Sequence, residues 1–246
     1  MAAKTGFPGK TPARSWPTRG TTSLRWTPAD PVTATALPAP TMPWRPRPPM
    51  CYTSSRAIGR RVVVVEASMG GLTGILVAER AGPQTVNGLV LVDVVPRYEK
   101  EGNARIRDFM LGNIDGFGSL EEAADAVAKY LPHRDKPRSP EGLKRNLRLR
   151  DGRWHWHWDP AMMTAPGHDP QLRTENFERA AMGLTIPVLL IRGKLSDVVS
   201  SDGARDFLAK VPNAEFVELS NAGRTAAGDD NDAFTDVVVD FVRRLS

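Results

Sequence analysis

A serine stands where an unbroken β-branched run meets a helical pattern. Val62-Val63-Val64-Val65 leads into Glu66-Ala67-Ser68-Met69-Gly70-Gly71, and residues 69–81 read as a helix with Leu72, Ile75, Leu76 and Ala78 apolar. Strand, sharp turn with serine at the tip, then helix is the context of a nucleophile elbow. In that geometry Ser68 projects above the sheet and the Met69 N–H points at a developing oxyanion. Gly70 and Gly71 let helix and strand approach closely. The plainer reading is a βα turn whose serine caps the helix. The motif G-x-S-x-G begins with glycine, and Glu66 stands in that place. Its bulk and charge beside Ser68 oppose serine ionisation.

The four histidines offer a second chemistry. His133 and His168 lie in a helical stretch, while His155 and His157 are interleaved with Trp154, Trp156 and Trp158. On a strand the histidines face one side and the tryptophans the other. A metal pair or a substitute base is one reading; a lid strand packing tryptophans over a pocket is the one adopted. Two histidines without a nearby third ligand make a poor metal site, so no metal and no cofactor is expected. The single cysteine, Cys51, excludes a disulfide framework and a thiolate zinc site.

The elements that must position Ser68 follow an α/β alternation from Arg61 onward. Leu89-Val90-Leu91-Val92 is a second buried strand. Residues 97–185 break the rhythm and are mostly helical: Ser119-Leu120-Glu121-Glu122 is a capping box opening a helix to about Leu131, and Ser139-Pro140 starts another. Leu147 to Trp158 alternates around Asp151-Gly152, a hairpin signal. A helix over 171–183, strand Pro187–Ile191, helix 202–210, strand Ala214–Leu219 and helix 232–244 complete a doubly wound, mostly parallel sheet with a helical insertion.

From these residues the chain resembles the α/β-hydrolases, in particular the lidded group of esterases and cofactor-free, non-haem haloperoxidases. The resemblance covers residues 61–246, with 97–185 as the lid. It implies a three-layer fold, a small acyl or carboxylic substrate and a triad. In the family an acid follows a later strand, and Asp197, in Arg192-Gly193-Lys194-Leu195-Ser196-Asp197, occupies that place. The plainer reading of Asp197 is a loop aspartate capping the helix that starts near 202. The family histidine follows the last strand, and there the text reads Ser220-Asn221-Ala222-Gly223-Arg224. Arg224 is permanently charged and has no acceptor, so it cannot take the serine proton. The resemblance therefore implies a hydrolase impaired at its base and its elbow, with a non-catalytic remnant or small-molecule binding protein as the alternative.

Residues 1–60 have a different composition. Up to Arg61 there are ten basic residues against Asp30 alone, so the net charge of +5 belongs to this segment and the rest is net acidic. Eleven of the 21 prolines lie within residues 1–50, with no helical or alternating periodicity. A disordered basic tail and an organellar transit peptide are two readings. The preferred one is translation out of frame over about residues 8–55. Read from the third base of each codon, Trp26-Thr27 forces aspartate, Met42-Pro43 alanine and Met50-Cys51 valine. Permitted codons over Trp26 to Thr35 yield D-A-R-G-S-G-D-S-D, similar to the text after the family's third strand. Nucleic-acid binding by the basic segment is set aside as a tail effect. No apolar run approaches the roughly 18 residues of a membrane span, and no secretory h-region is present, so a cytoplasmic location is expected.

Overall fold

The computed structural model describes residues 60–132, 139–159, 170–220 and 231–245. The irregular segment expected over residues 1–60 falls almost wholly outside them, as do Cys51, His133, His168 and Arg224.

Four parallel strands form one sheet in the order β1 (Val62–Ala67), β2 (Val86–Val92), β5 (Val188–Gly193), β6 (Ala214–Leu219). Helix α1 (Met69–Ala81) joins β1 to β2, α5 (Ser201–Lys210) joins β5 to β6, and α6 (Asn231–Arg244) follows β6. The register pairs Val65 with Val90, Leu91 with Leu190, and Ile191 with Val217.

Strands buried on both faces need apolar side chains at successive positions, and β2 and β5 have them. Leu89, Leu91, Val188 and Leu190 face one way, packing with Leu72 and Ile75 of α1, Phe177 of α4 (Pro170–Met182) and Phe207 of α5. Val90, Val92, Leu189 and Ile191 face the other way, against Val238 and Phe241 of α6. Helices on both faces of a mostly parallel sheet make three layers, as the alternation predicts. Each fully buried Leu, Ile or Val adds about 1.5–3 kcal/mol, so these two faces dominate the stability of this unit.

Between β2 and β5 lie α2 (Lys100–Leu111), α3 (Leu120–Tyr130), a short 3-10 turn (Pro140–Arg145) and an antiparallel hairpin, β3 (Leu147–Arg150) with β4 (Arg153–Trp156), ahead of α4. Ser119 caps α3 by accepting from the Glu122 N–H at 3.1 Å. Glu122 reaches back to the Gly118 N–H at 2.6 Å, one residue before the cap. The hairpin turns on Asp151 and Gly152, both with positive φ, 49° and 76°, the two-residue turn that matches strand twist. At Ser139-Pro140 the serine caps as expected, and the helix that starts there is six residues of 3-10 helix before the chain turns at Asn146 into β3. Phe117, Leu120, Ala123 and Leu147 form a separate small core here, with Trp154 and Trp156 packed on it.

Candidate active site at the carboxyl edge of the sheet

The C-terminal ends of parallel strands are where loops converge and ligands bind in open α/β sheets. At the end of β1 the chain reverses within one residue. Ser68 has φ 50° and ψ −128°, a conformation that costs a non-glycine residue on the order of 1–3 kcal/mol. Its N–H donates to Val92 O at 3.3 Å, tying the turn to the end of β2. Its side chain makes no helix-capping bond, so the capping alternative does not describe it. Met69 opens α1 and is half exposed. Its N–H is among the first four of the helix, which have no intrahelical acceptor. Gly71 explains the tight seat of the helix: a Cβ there would lie 2.5 Å from Val94 Cγ1 and 3.3 Å from Leu91 Cδ2.

Glu66 folds its carboxylate over Gly70, filling the space a Cβ would take there. It is half-buried, and desolvation pushes its carboxyl up from the ordinary value. Burial disfavours the charged form, so the protein holds this proton more tightly than water does.

Asp197 lies in the loop after β5, four residues beyond Gly193. It is half-buried, and its Oδ2 is 2.5 Å from Arg105 Nη2 on α2. The cap on α5 belongs to Ser200, which accepts from the Gly203 N–H at 2.9 Å, and not to Asp197. Ser196 shapes the loop: its Oγ accepts from the N–H groups of Val198 and Val199, each at 3.2 Å. On the far side Arg192, itself buried, donates through Nε to Val199 O at 2.6 Å and pairs with Glu218.

Asp93, which the sequence reading did not single out, joins these parts. It directly follows β2 with φ 51°, is only 3% exposed, and accepts the Ser196 hydroxyl on Oδ2 at 2.8 Å. One polar chain thus runs from the Ser68 turn through the end of β2 and Asp93 to the loop of Asp197. The available signal was position: an aspartate directly after the apolar run Leu89–Val92.

The hairpin residues make contacts within the insertion. Trp156 packs edge-on against Phe117, centroids 5.5 Å apart, and tilts against Phe109, and Trp154 lies under Lys144 Nζ at 5.9 Å. His155 lies against Gly116, while the His157 ring meets Asn146 O at 3.0 Å. Trp158 follows the strand, half-buried. The alternation holds over residues 154–156, and the tryptophan contacts described here lie within the insertion. Among the described residues no three His, Cys, Asp or Glu side chains gather as a metal site, and no helix is long and apolar enough to cross a membrane.

No family model matches the chain, and no curated protein matches it. Solved structures do. A hydrolase of E-2-(acetamidomethylene)succinate superposes with a TM-score of 0.67 at 18% identity, over 77% of this chain and 70% of that one. An α/β hydrolase from Novosphingobium aromaticivorans gives 0.58 at 26% identity, over 82% and 74%. An esterase of Mycobacterium tuberculosis gives 0.58 at 23%, over 78% and 69%.

Proposed function

We propose that this chain, which has the α/β-hydrolase fold, descends from serine hydrolases that attack small acyl or carboxylic substrates, and that as written it is a weak or inactive member. The observation that carries the reading is the backbone of Ser68. A strained φ of 50° at the junction of strand and helix, with no capping bond to compensate, is the cost of aiming a serine above a sheet edge. In the proposed roles Ser68 is the nucleophile and the Met69 N–H is one oxyanion donor. Asp197 is the acid that orients a base, and Trp154 to Trp158 belong to the lid over 97–185. The solved hydrolases and esterases support the class and leave the substrate open.

The impairment follows from the residues. With Arg224 at the histidine position, nothing there accepts the proton of Ser68. Glu66 adds a carboxylate beside the serine, and stabilising the neutral acid relieves this only as pH falls. In haloperoxidase-like members the same triad forms peracids from carboxylic acids and peroxide, so that activity belongs to the proposal. The rival reading, a remnant or small-molecule binding protein, rests on Arg224 and on the commitment of Asp197 to Arg105. A fluorophosphonate probe separates the two. Stoichiometric labelling that is lost in Ser68→Ala supports a working nucleophile; absence of labelling over hours favours the remnant.

A further inference from the structure

We infer that α2, the first helix of the insertion, is latched onto the loop that carries Asp197, so that displacement of the one releases the other. Three positions on one face of the helix, spaced by three, meet the loop. At the N-cap, Glu99 donates its N–H to Val198 O at 2.9 Å and its Oε1 accepts from the Ser200 hydroxyl. One turn on, a Cβ at Gly102 would overlap the Asp197 carbonyl and sit 3.2 Å from Val198 Cα. A further turn on, Arg105 Nη2 pairs with Asp197 Oδ2 at 2.5 Å.

Gly102 is the decisive residue. It is the only buried position of α2. Glycine inside a helix is unfavourable relative to alanine, and close backbone approach offsets that cost. The helix meets the loop through a backbone hydrogen bond, the Glu99–Ser200 bond, the Arg105–Asp197 pair and close backbone approach at Gly102, so on the helix side the latch is a polar and steric fit. Such contacts open more readily than packed cores. Coupling of this kind is reciprocal: a ligand that draws Asp197 away from Arg105 loosens α2, and a ligand that lifts α2 frees the carboxylate. The latch stands on this packing alone and does not require Ser68 to be a nucleophile.

Hydrogen exchange on the full chain tests it, comparing the parent with Arg105→Gln, Asp197→Asn, the exchanged pair Arg105→Asp with Asp197→Arg, and Gly102→Ala. Amides of residues 103–111 should exchange about two- to five-fold faster in each single charge variant, the range of an exposed ion pair, and return toward the parent in the exchanged pair. Gly102→Ala should exchange faster still, although alanine is the better helix former. Amides of β2 and β5 should stay unchanged in all of them. Slower exchange of α2 in Gly102→Ala would show that propensity alone governs the helix and would overturn the latch. So would charge variants that leave α2 as it was, an exchanged pair that corrects nothing, or loosening that spreads equally into the sheet.

Discussion

On the proposed reading, Ser68, Glu66 and Arg224 decide how much hydrolysis this molecule performs. In the proposed hydrolase Ser68, held at φ 50° beside the open end of a helix, would be the nucleophile, and its attack would need a base; general-base catalysis is typically worth about 10²–10⁴-fold. Hydrolysis of p-nitrophenyl acetate by the parent should therefore fall far below ordinary esterase rates. Arg224→His or Glu66→Gly alone should raise kcat/KM little, and both together modestly. A large rise is expected only when the N-terminal segment is also restored to the alternative frame: on the proposed reading the second oxyanion donor, beside the Met69 N–H, would come from a turn in that segment, and lacking one such donor costs on the order of 10²–10³ in rate. Ordinary esterase turnover by the parent, abolished in Ser68→Ala, would mean that another base serves, and His155 and His157 would be the first to replace.

Glu66 also makes a prediction about stability. Its carboxyl is raised by burial, so the folded state binds a proton that the unfolded chain gives up. The sign follows: the ionised group destabilises the fold above its folded-state value, and that penalty fades as pH falls toward the ordinary value of 4.5. Glu66→Gln should raise the Tm at pH 7–8, with the gain shrinking toward zero below about pH 4.5. An equal gain at every pH would trace the effect to packing over Gly70 rather than to charge.

At the scale of the element, the turn works because α1 lies close on the sheet. Gly71 meets Val94 and Leu91 at distances that leave no room for a methyl group, and neither neighbour has a long flexible end to move. Gly71→Ala would gain helix propensity yet should lose about 1–3 kcal/mol overall through overpacking, read as a lower urea midpoint. It should also slow probe labelling of Ser68 if any is seen in the parent. A stabilised Gly71→Ala would mean that the helix can slide along β1 and that the seat is not tight. The loop after β5 is braced differently, by Ser196 against buried Asp93 and by Arg192 against Val199. These bonds hold the loop's polar side, while Val198 and Val199 are buried and Val199 anchors its other side in the core.

At the scale of the whole molecule, the four-stranded sheet raises the question of its edges. Among the described residues β1 pairs on one side only, with β2, and Val65 is 40% exposed. An apolar strand with unpaired N–H and C=O groups is a template for association. The parent should show concentration-dependent aggregation in light scattering, and Val65→Lys should reduce it with little change in Tm, because charge on an edge strand blunts edge-to-edge pairing. A monodisperse parent with a cooperative thermal transition would show that another part of the chain covers β1.

What the sequence determined by itself is local in origin. The βα alternation, the turn at Ser68, the Ser119 cap and the Asp151-Gly152 hairpin each depend on residues within one or two turns of chain, and each appears where its pattern places it. Strand ends moved by a few residues, with β2 beginning at Val86 rather than Leu89 and β5 ending at Gly193 rather than Ile191, because strand length follows the neighbour's ladder as well as a strand's own residues. Only the tertiary structure revealed the partnerships across the sheet edge. Asp93 meets Ser196 across more than a hundred residues, and Asp197 meets Arg105 across ninety-odd. A carboxylate's partner depends on which loops converge at the ends of parallel strands, and no spacing along the chain encodes that. The same physics accounts for Trp154 and Trp156: alternation placed them on one face, but the small core around Phe117 decided what that face would meet.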